Sequence, residues 1–314
     1  GDTRVEAAVL ETARGGIIKR GLGYDLADVG VIINISDDHL GLDGINTKEE
    51  LAKVKSLVAE AVKPEGTAVL NADDEMTPFI LGRINCRPLL FSSDSGSLMI
   101  RKWMRDGRDA VYVRDGSIYA FVSGIEKHIV RISDIPITFG GKAACNIENS
   151  LAAVSALLAL GISAAVIRKG IMSFKPDLDV NPGRFNIFDM GEFSVMLDYG
   201  HNKAGYSAVI DMIKSFNAPI YTGVIGMPGD RRDESIIEVG RICGSFFSKL
   251  YIKEDSDLRG RDAGEVADLL YSGAIEAGMD KDRISVIYQE DLALKRAIMD
   301  AVPGEMIVMF YEEL

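Results

Sequence analysis

The sequence is poor in cysteine, and its three, Cys86, Cys145 and Cys243, lie far apart. They make neither a disulfide framework nor a closely spaced metal pair, which suits a reducing, cytoplasmic setting. In that setting the Asn34-Ile35-Ser36 sequon has no role. Positive charge is also short. The 35 Lys and Arg against 47 Asp and Glu leave a net charge of −12, which argues against a general nucleic-acid or anionic-membrane surface. The longest apolar stretch, 151–167, is broken by Ser155, Gly161 and Ser163. It is too short and Ala-rich for a spanning helix and reads as a core helix. The chain has no initiator Met, no basic n-region and no apolar h-region, so nothing reads as a signal peptide. Familiar catalytic templates are missing as well. Gly141-Lys142 is followed by Ala143, so there is no G-x-x-x-x-G-K-[ST], and G-x-G-x-x-G, H-E-x-x-H and G-x-S-x-G do not occur.

What is present is globular. Apolar residues are 47% and charged residues 26%, which excludes disorder, and 314 residues suit two domains. Val5–Leu10 and 29–35 are continuous apolar runs, the pattern of parallel strands covered on both faces. A strand placed so abruptly at the start gives the expectation of a fragment cut from a longer protein. Thr47-Lys48-Glu49-Glu50 is a capping box for a helix to about Val62, and a strand is expected at 67–70. Residues 86–140 alternate apolar with polar and carry turn signals at Asp94-Ser95-Gly96, Arg105-Asp106-Gly107 and Arg114-Asp115-Gly116, which predicts a β-hairpin insert or meander. Its Arg101, Lys102, Arg105 and Arg108 around Trp103 are either a binding face or a guarded hairpin edge. A helical region at 146–172 and a Pro- and Asp-bearing linker at 175–183 follow. Beyond it strands at 193–198, 219–225, 249–253, 284–288 and 306–311 alternate with helices at 204–216, 234–247, 263–277 and 290–301, which predicts an open parallel sheet with helices on both faces. No fixed-period repeat is present.

Polar residues gather where such sheets place ligands, at strand ends. Glu11 precedes Thr12-Ala13-Arg14-Gly15-Gly16, and Asn34-Ile35-Ser36-Asp37-Asp38-His39 closes the next strand. Each residue alone is equally a cap or turn residue; together they can converge on a hard cation such as Mg²⁺. On the helix opened by Thr47, Lys55 falls roughly 40° from Leu51, while Lys53 points about 160° away. Lys55 therefore either snorkels or serves as a functional amine, neutral enough to react with CO₂. Arg184 follows the linker, where it could clamp a phosphate; Asp198-Tyr199-Gly200-His201 ends one strand and Gly229-Asp230-Arg231 follows another, either as a site loop or as a helix cap with solvated charges.

In order along the chain, Leu10-Glu11-Thr12-Ala13-Arg14-Gly15-Gly16, Asn34-Ile35-Ser36-Asp37-Asp38-His39-Leu40, Asn71-Ala72-Asp73-Asp74, Asn146-Ile147-Glu148-Asn149, Asn181-Pro182-Gly183-Arg184-Phe185 and Asp198-Tyr199-Gly200-His201-Asn202 resemble the motifs of the Mur ligase and folylpolyglutamate synthase superfamily. With Gly226–Arg232 and Leu258–Glu265, the chain looks like the Mur-like C-terminal part of the cyanophycin synthetases. The resemblance implies an α/β chain: an incomplete Mur-type central P-loop-like ATPase domain at 1–180 with a β-rich insert at about 86–140, then a Rossmann-like parallel-sheet domain at 181–314. It also implies ATP-dependent amide-bond formation through an acyl phosphate, joining arginine to a poly-aspartate (cyanophycin) acceptor in the cytoplasm. ATP, Mg²⁺ and a carbamylated lysine would be used, with no nucleic acid or membrane partner.

Carried over, Glu11 would hold one Mg²⁺, His39 and a carbamylated Lys55 a second. Asn146 and Asn149 would face adenine, Asp198 the ribose, Arg184 and His201 the phosphates, and Arg14, Asp230 and Arg231 the substrates. The family's phosphate loop and the ATP-grasp half would belong to a missing N-terminal part, so the fragment alone is expected to be inactive. The family's histidine before Asn146 is Cys145 here. A Mur-like ligase with another acidic acceptor, a non-catalytic binding or assembly module, and a homo-oligomer are all compatible with the same residues.

Overall fold

A computed structural model describes residues 4–36, 41 and 43–312. The chain divides into two compact units, Gly1–Ile132 with Ile147–Ile171, and Ser133–Asn146 with Met172–Leu314. His39, Asp37 and Asp38 lie outside the described residues. Among the described residues no helix is long and apolar enough to cross a membrane.

In the first unit six strands lie side by side in chain order: β1 (Ala27–Ile32), β2 (Val62–Asn71), β3 (Arg87–Ser92), β4 (Ala110–Arg114), β5 (Ser117–Val122) and β6 (Ile125–Arg131). The first four are parallel and the last pairings antiparallel. Helix α1 (Arg14–Arg20) precedes β1, helices α2 (Lys48–Glu60), α3 (Thr77–Leu81) and α4 (Leu98–Arg105) occupy the connections, and α5 (Ala144–Ala159) and α6 (Ala164–Ser173) follow the sheet. The capping box of α2 forms. Glu50 N–H donates to Thr47 Oγ1 at 3.2 Å, and the Glu50 carboxylate accepts from the Asn46 and Thr47 N–H groups at 2.7 and 3.1 Å. Those N–H groups, Asn46's foremost, hold the Glu50 carboxyl below its ordinary value. Leu51, Ala52 and Ala59 of α2 are buried against Ile32, Leu70 and Leu90. The approach is close: a Cβ on Gly30 would stand 2.6 Å from the Val58 carbonyl oxygen.

Two expectations fail in this unit. Residues 5–10 are not a strand; they are exposed, Val9 at 100%. A strand exists through its ladder, and among the described residues β1 pairs with β2 alone. Nor is the whole of 86–140 a hairpin insert or meander; only β4, β5 and β6 run as an antiparallel meander. β3 and β4 extend the parallel sheet, and Asp94-Ser95-Gly96 leads into α4 rather than a hairpin. Ile100 and Trp103, three residues apart, are the buried face of that helix. Trp103 Nε1 donates to the Asp109 carbonyl at 3.0 Å while the Arg108 guanidinium lies 4.5 Å over its ring. The basic cluster is therefore the solvated side of a crossover helix. Tight hairpins do form at Asp115-Gly116 and at Ser123-Gly124, whose φ values of 49°, 68°, 52° and 78° are those a two-residue hairpin loop requires.

In the second unit the strands are β7 (Asn186–Asp189), β8 (Ser194–Asp198), β9 (Ile220–Ile225), β10 (Lys249–Ile252), β11 (Ile284–Val286) and β12 (Glu305–Phe310). The sheet order is β11-β10-β9-β12-β8-β7, parallel except for the β7 edge. Helices α7 (Lys203–Lys214), α8 (Asp233–Phe246) and α9 (Glu265–Glu276) share one core with Met196, Ile225 and Val308. The other face of the sheet packs Val195, Val224 and Ile307 with Ala293 and Ala297 of α10 (Glu290–Met299). The alternation expected from sequence is the one found, with β7 added at the edge. β12 enters between β8 and β9, so the sheet reverses its winding there. The carboxyl ends of β8, β9, β10 and β12 meet at one crest, the position where open α/β sheets bind ligands.

Candidate active site

Asp198, the last residue of β8, is 5% exposed. Its carboxylate accepts N–H groups from Phe185 at 3.1 Å and Gly200 at 2.8 Å. Burial pushes its carboxyl up to about 6, against the pull of the Phe185 N–H, the Arg184 charge and the Gly200 N–H. Arg184 lies with its guanidinium 4.8 Å over the Tyr199 ring. That ring is 5.1 Å from the His201 ring and 5.6 Å from Tyr311. Gly183 is required here. It sits at φ 67°, and a Cβ would meet the Tyr311 hydroxyl at 1.6 Å. Its carbonyl instead accepts the Tyr199 N–H at 3.0 Å and the Tyr311 hydroxyl at 3.2 Å. Asn202 then caps α7, accepting the Gly205 N–H at 2.8 Å. Arg184, Asp198 and His201 thus come together at one strand end.

Asp230 and Arg231 lie in the next loop and bind each other, Arg231 Nη1 to Asp230 Oδ1 at 3.0 Å, while Arg259 Nη1 reaches Asp230 Oδ2 at 3.2 Å. Arg261 ties the two loops together through the Gly229 and Arg231 carbonyls, both at 2.7 Å, and Asp233 at 2.6 Å. The Asp230 side chain does not cap α8, whose N-cap residue is Arg232.

In the first unit the motif residues knit strand ends. Asp73 accepts from Ser92 Oγ at 2.6 Å and Ser93 N–H at 2.8 Å; Asp74 accepts from Ile35 N–H at 2.5 Å and Met76 N–H at 2.8 Å. Burial, with the Asp73 charge adding to it, raises the Glu148 carboxyl. Lys55 is half-buried and its Nζ donates to the Asn34 carbonyl at 3.1 Å, whereas Lys53 is exposed. Arg14 is buried at 8% and pairs with Asp43. Glu11 is exposed in a segment without helix or strand. In the second unit Asn146 is buried with Nδ2 donating to the Ile137 carbonyl at 2.7 Å, whereas Asn149, in the first unit, is exposed. Among the described residues no group of three or more His, Cys, Asp and Glu side chains converges as a metal cage.

The Mur ligase middle domain profile matches residues 1–157, and that of the Mur ligase glutamate ligase domain residues 183–310. The chain belongs to the Mur ligase family. Within this ligase family it is 39% identical to cyanophycin synthetase of Synechocystis sp., covering 100% of this chain and 36% of that protein. It is 26% identical to the UDP-N-acetylmuramoyl-L-alanyl-D-glutamate–2,6-diaminopimelate ligase of Geobacter metallireducens, over 98% of this chain and 60% of that protein. Among solved structures, E. coli FolC in complex with DHPP and ADP shares the fold at a TM-score of 0.64 and 19% identity, over 90% of this chain and 58% of that one. MurF from Acinetobacter baumannii does so at 0.62 and 18%, over 90% and 56%. The chain therefore spans about a third of the cyanophycin synthetases it matches, 36% for the Synechocystis protein.

Sequence reasoning passed over Tyr311 and the group Lys253, Asp255 and Glu312 at the same crest. The one signal available was a charged Lys253-Glu254-Asp255 run directly after the apolar strand Lys249–Ile252.

Proposed function

We propose that the complete protein is an ATP-dependent amide ligase of the cyanophycin synthetase type, adding arginine to the side-chain carboxylates of a poly-aspartate backbone. The observation that carries this reading is the 39% identity to a cyanophycin synthetase across the whole chain, against 26% for the diaminopimelate ligase. An aspartate carboxylate oxygen attacks the γ-phosphorus of ATP and ADP departs, leaving an acyl phosphate. The amine lone pair then attacks the acyl carbon, the amine loses a proton, and phosphate leaves as the amide forms. Arg184 and His201 are the proposed phosphate-facing groups, where positive charge offsets the charge of a transferring phosphoryl group; their convergence with Asp198 supports that role. Asp198 is proposed for the ribose, Asn146 and Asn149 for adenine, and Arg14, Asp230 and Arg231 for substrates. Glu11, His39 and a carbamylated Lys55 are the proposed Mg²⁺-facing residues, on the resemblance of their motifs.

The test is to supply the full-length protein with ATP, arginine and a poly-aspartate primer, following phosphate release and arginine incorporation together. Coupled release and incorporation are expected. Incorporation into a different acidic acceptor, with none into poly-aspartate, would move the protein to another Mur-like specificity. ATP turnover with no amide product would remove the ligase reading.

A further inference from the structure

Asp230 and Arg231, proposed above for substrates, sit on a loop between the end of β9 at Ile225 and the start of α8 at Asp233. We infer that Arg261 is the positioning residue that sets the backbone of this loop, and through it the affinity for the substrate that Asp230 and Arg231 meet. The inference rests on the ligase reading above for the identity of that substrate.

The local chain presents Arg261 to that loop. The Asp257 carboxylate accepts the Arg259 N–H at 3.0 Å, Arg259 and Gly260 stand at φ 48° and 91°, and the Arg261 N–H returns to the Leu258 carbonyl at 3.1 Å. The turn sets the Leu258 carbonyl against Gly229, where a Cβ would stand 2.2 Å from that oxygen, so the two loops meet backbone to backbone. The Arg261 guanidinium then crosses between them. Nε donates to the Gly229 carbonyl and Nη2 to the Arg231 carbonyl, both at 2.7 Å. These two carbonyls bracket Asp230. The same guanidinium is anchored by Asp233 Oδ1 at 2.6 Å and by Glu265, the first residues of α8 and α9.

The anchors stand on a stiff base. α8 and α9 pack backbone to backbone, and a Cβ on Gly240 would stand 2.3 Å from the Leu270 carbonyl oxygen. With the chain fixed on both sides of it, the Asp230 carboxylate takes Arg231 at 3.0 Å and Arg259 at 3.2 Å. The loop is thus in one arrangement before a substrate arrives, which removes an ordering cost from binding. Only a planar fork serves two carbonyls and two carboxylates at once; the single nitrogen of a lysine ammonium does not span them. Arg241 is the contrast. It lies on α8 and also joins the two helices, through Glu238 at 3.2 Å and Glu276 at 2.6 Å, with both partners on the helices themselves.

Two readouts on the full-length protein test this together, amide hydrogen exchange over 229–232 and the KM of each substrate. Arg261→Lys should speed exchange of the loop by about tenfold or more, as expected when charge-assisted hydrogen bonds to its carbonyls go. The KM for arginine or for the poly-aspartate primer should rise by a similar factor, while kcat and the KM for ATP stay within about twofold of wild type, the pattern of lost substrate binding. Arg241→Ala should leave both readouts at wild-type values. Glu265→Gln, on an exposed side chain, should move both in the same direction as Arg261→Lys but less, and it decides by the same criteria if Arg261→Lys does not fold. Wild-type exchange of the loop in a folded Arg261→Lys variant overturns the inference. So does faster exchange with the arginine and primer KM values unchanged, or an Arg241→Ala variant that matches Arg261→Lys. A wild-type protein that joins no arginine to the primer removes the ligase reading instead, and the exchange comparison then decides by itself whether Arg261 holds the loop.

Discussion

Burial raises the Asp198 carboxyl from an ordinary 3.8 to about 6, so the folded state prefers the protonated form that it must give up as pH rises. Both states hold the proton well below pH 4. Between about pH 4 and pH 6 the unfolded chain releases it first, and stability from this group is lost by up to about 3 kcal/mol. Asp198→Asn cannot ionise. The unfolding free energy of wild type minus that of Asp198→Asn should therefore fall between pH 4 and 6 and flatten above, as read from denaturant titrations at each pH. A gap that widens in favour of wild type would mean that the N–H groups of Phe185 and Gly200, with Arg184, outweigh burial. Arg184→Ala should leave the fold intact and reduce ligase turnover of the full-length protein by at least about tenfold, or 1.4 kcal/mol of transition-state stabilisation. Undiminished turnover would leave the guanidinium as no more than a cover for Tyr199. Arg184, Asp198 and His201 were legible in the sequence because each sits beside a linker, Gly or strand end whose chemistry is local. Tyr311, Asp255 and Glu312 were not, because they become neighbours only when β12 inserts between β8 and β9, which no local pattern records.

Helix α2 shows what an element contributes that single residues do not. Its capping box was readable in advance, whereas the face it buries, Leu51, Ala52, Ser56 and Ala59, is seen only in the structure; it leaves Lys53 exposed and Lys55 half-buried against the Asn34 carbonyl. In the full-length protein Lys55→Ala should lower turnover by more than about tenfold, while Lys53→Ala stays near wild type. If Lys55 is a carbamate, protein equilibrated with ¹³C-bicarbonate should show a carbamate carbon resonance that Lys55→Ala lacks. An active Lys55→Ala variant, or a dead Lys53→Ala, would sink the assignment. The second unit was legible because each βα step repeats one pattern, a short apolar run and then a 3.6-residue stripe. The first unit was less so, for reasons of context. Residues 5–10 have the composition of a strand but no ladder partner among the described residues, and α4 is only eight residues long between turn-like sequences, so its period was lost among hairpin signals.

At the scale of the whole chain, each unit carries a hydrophobic core of its own, one around Leu51, Leu70 and Leu90 and one around Tyr206, Ile225 and Leu270. Domains with separate cores are expected to unfold as separate cooperative units. Two substitutions address them one at a time. Leu51 is fully buried, and Leu51→Ala should cost about 2–5 kcal/mol in the first unit. In the second unit α8 and α9 touch backbone to backbone, and a Cβ on Gly273 would stand 2.1 Å from the Ile237 carbonyl oxygen. Alanine is the better helix former by about 1 kcal/mol, but a backbone atom cannot swing aside as a side chain can, so overpacking should prevail and Gly273→Ala should destabilise by roughly 1–3 kcal/mol. Scanning calorimetry of the chain should show two transitions, Leu51→Ala lowering one and Gly273→Ala the other. A single transition lowered by both variants would mean that the two cores melt as one, and a Gly273→Ala variant more stable than wild type would mean that α8 and α9 separate readily enough for helix propensity to decide the sign.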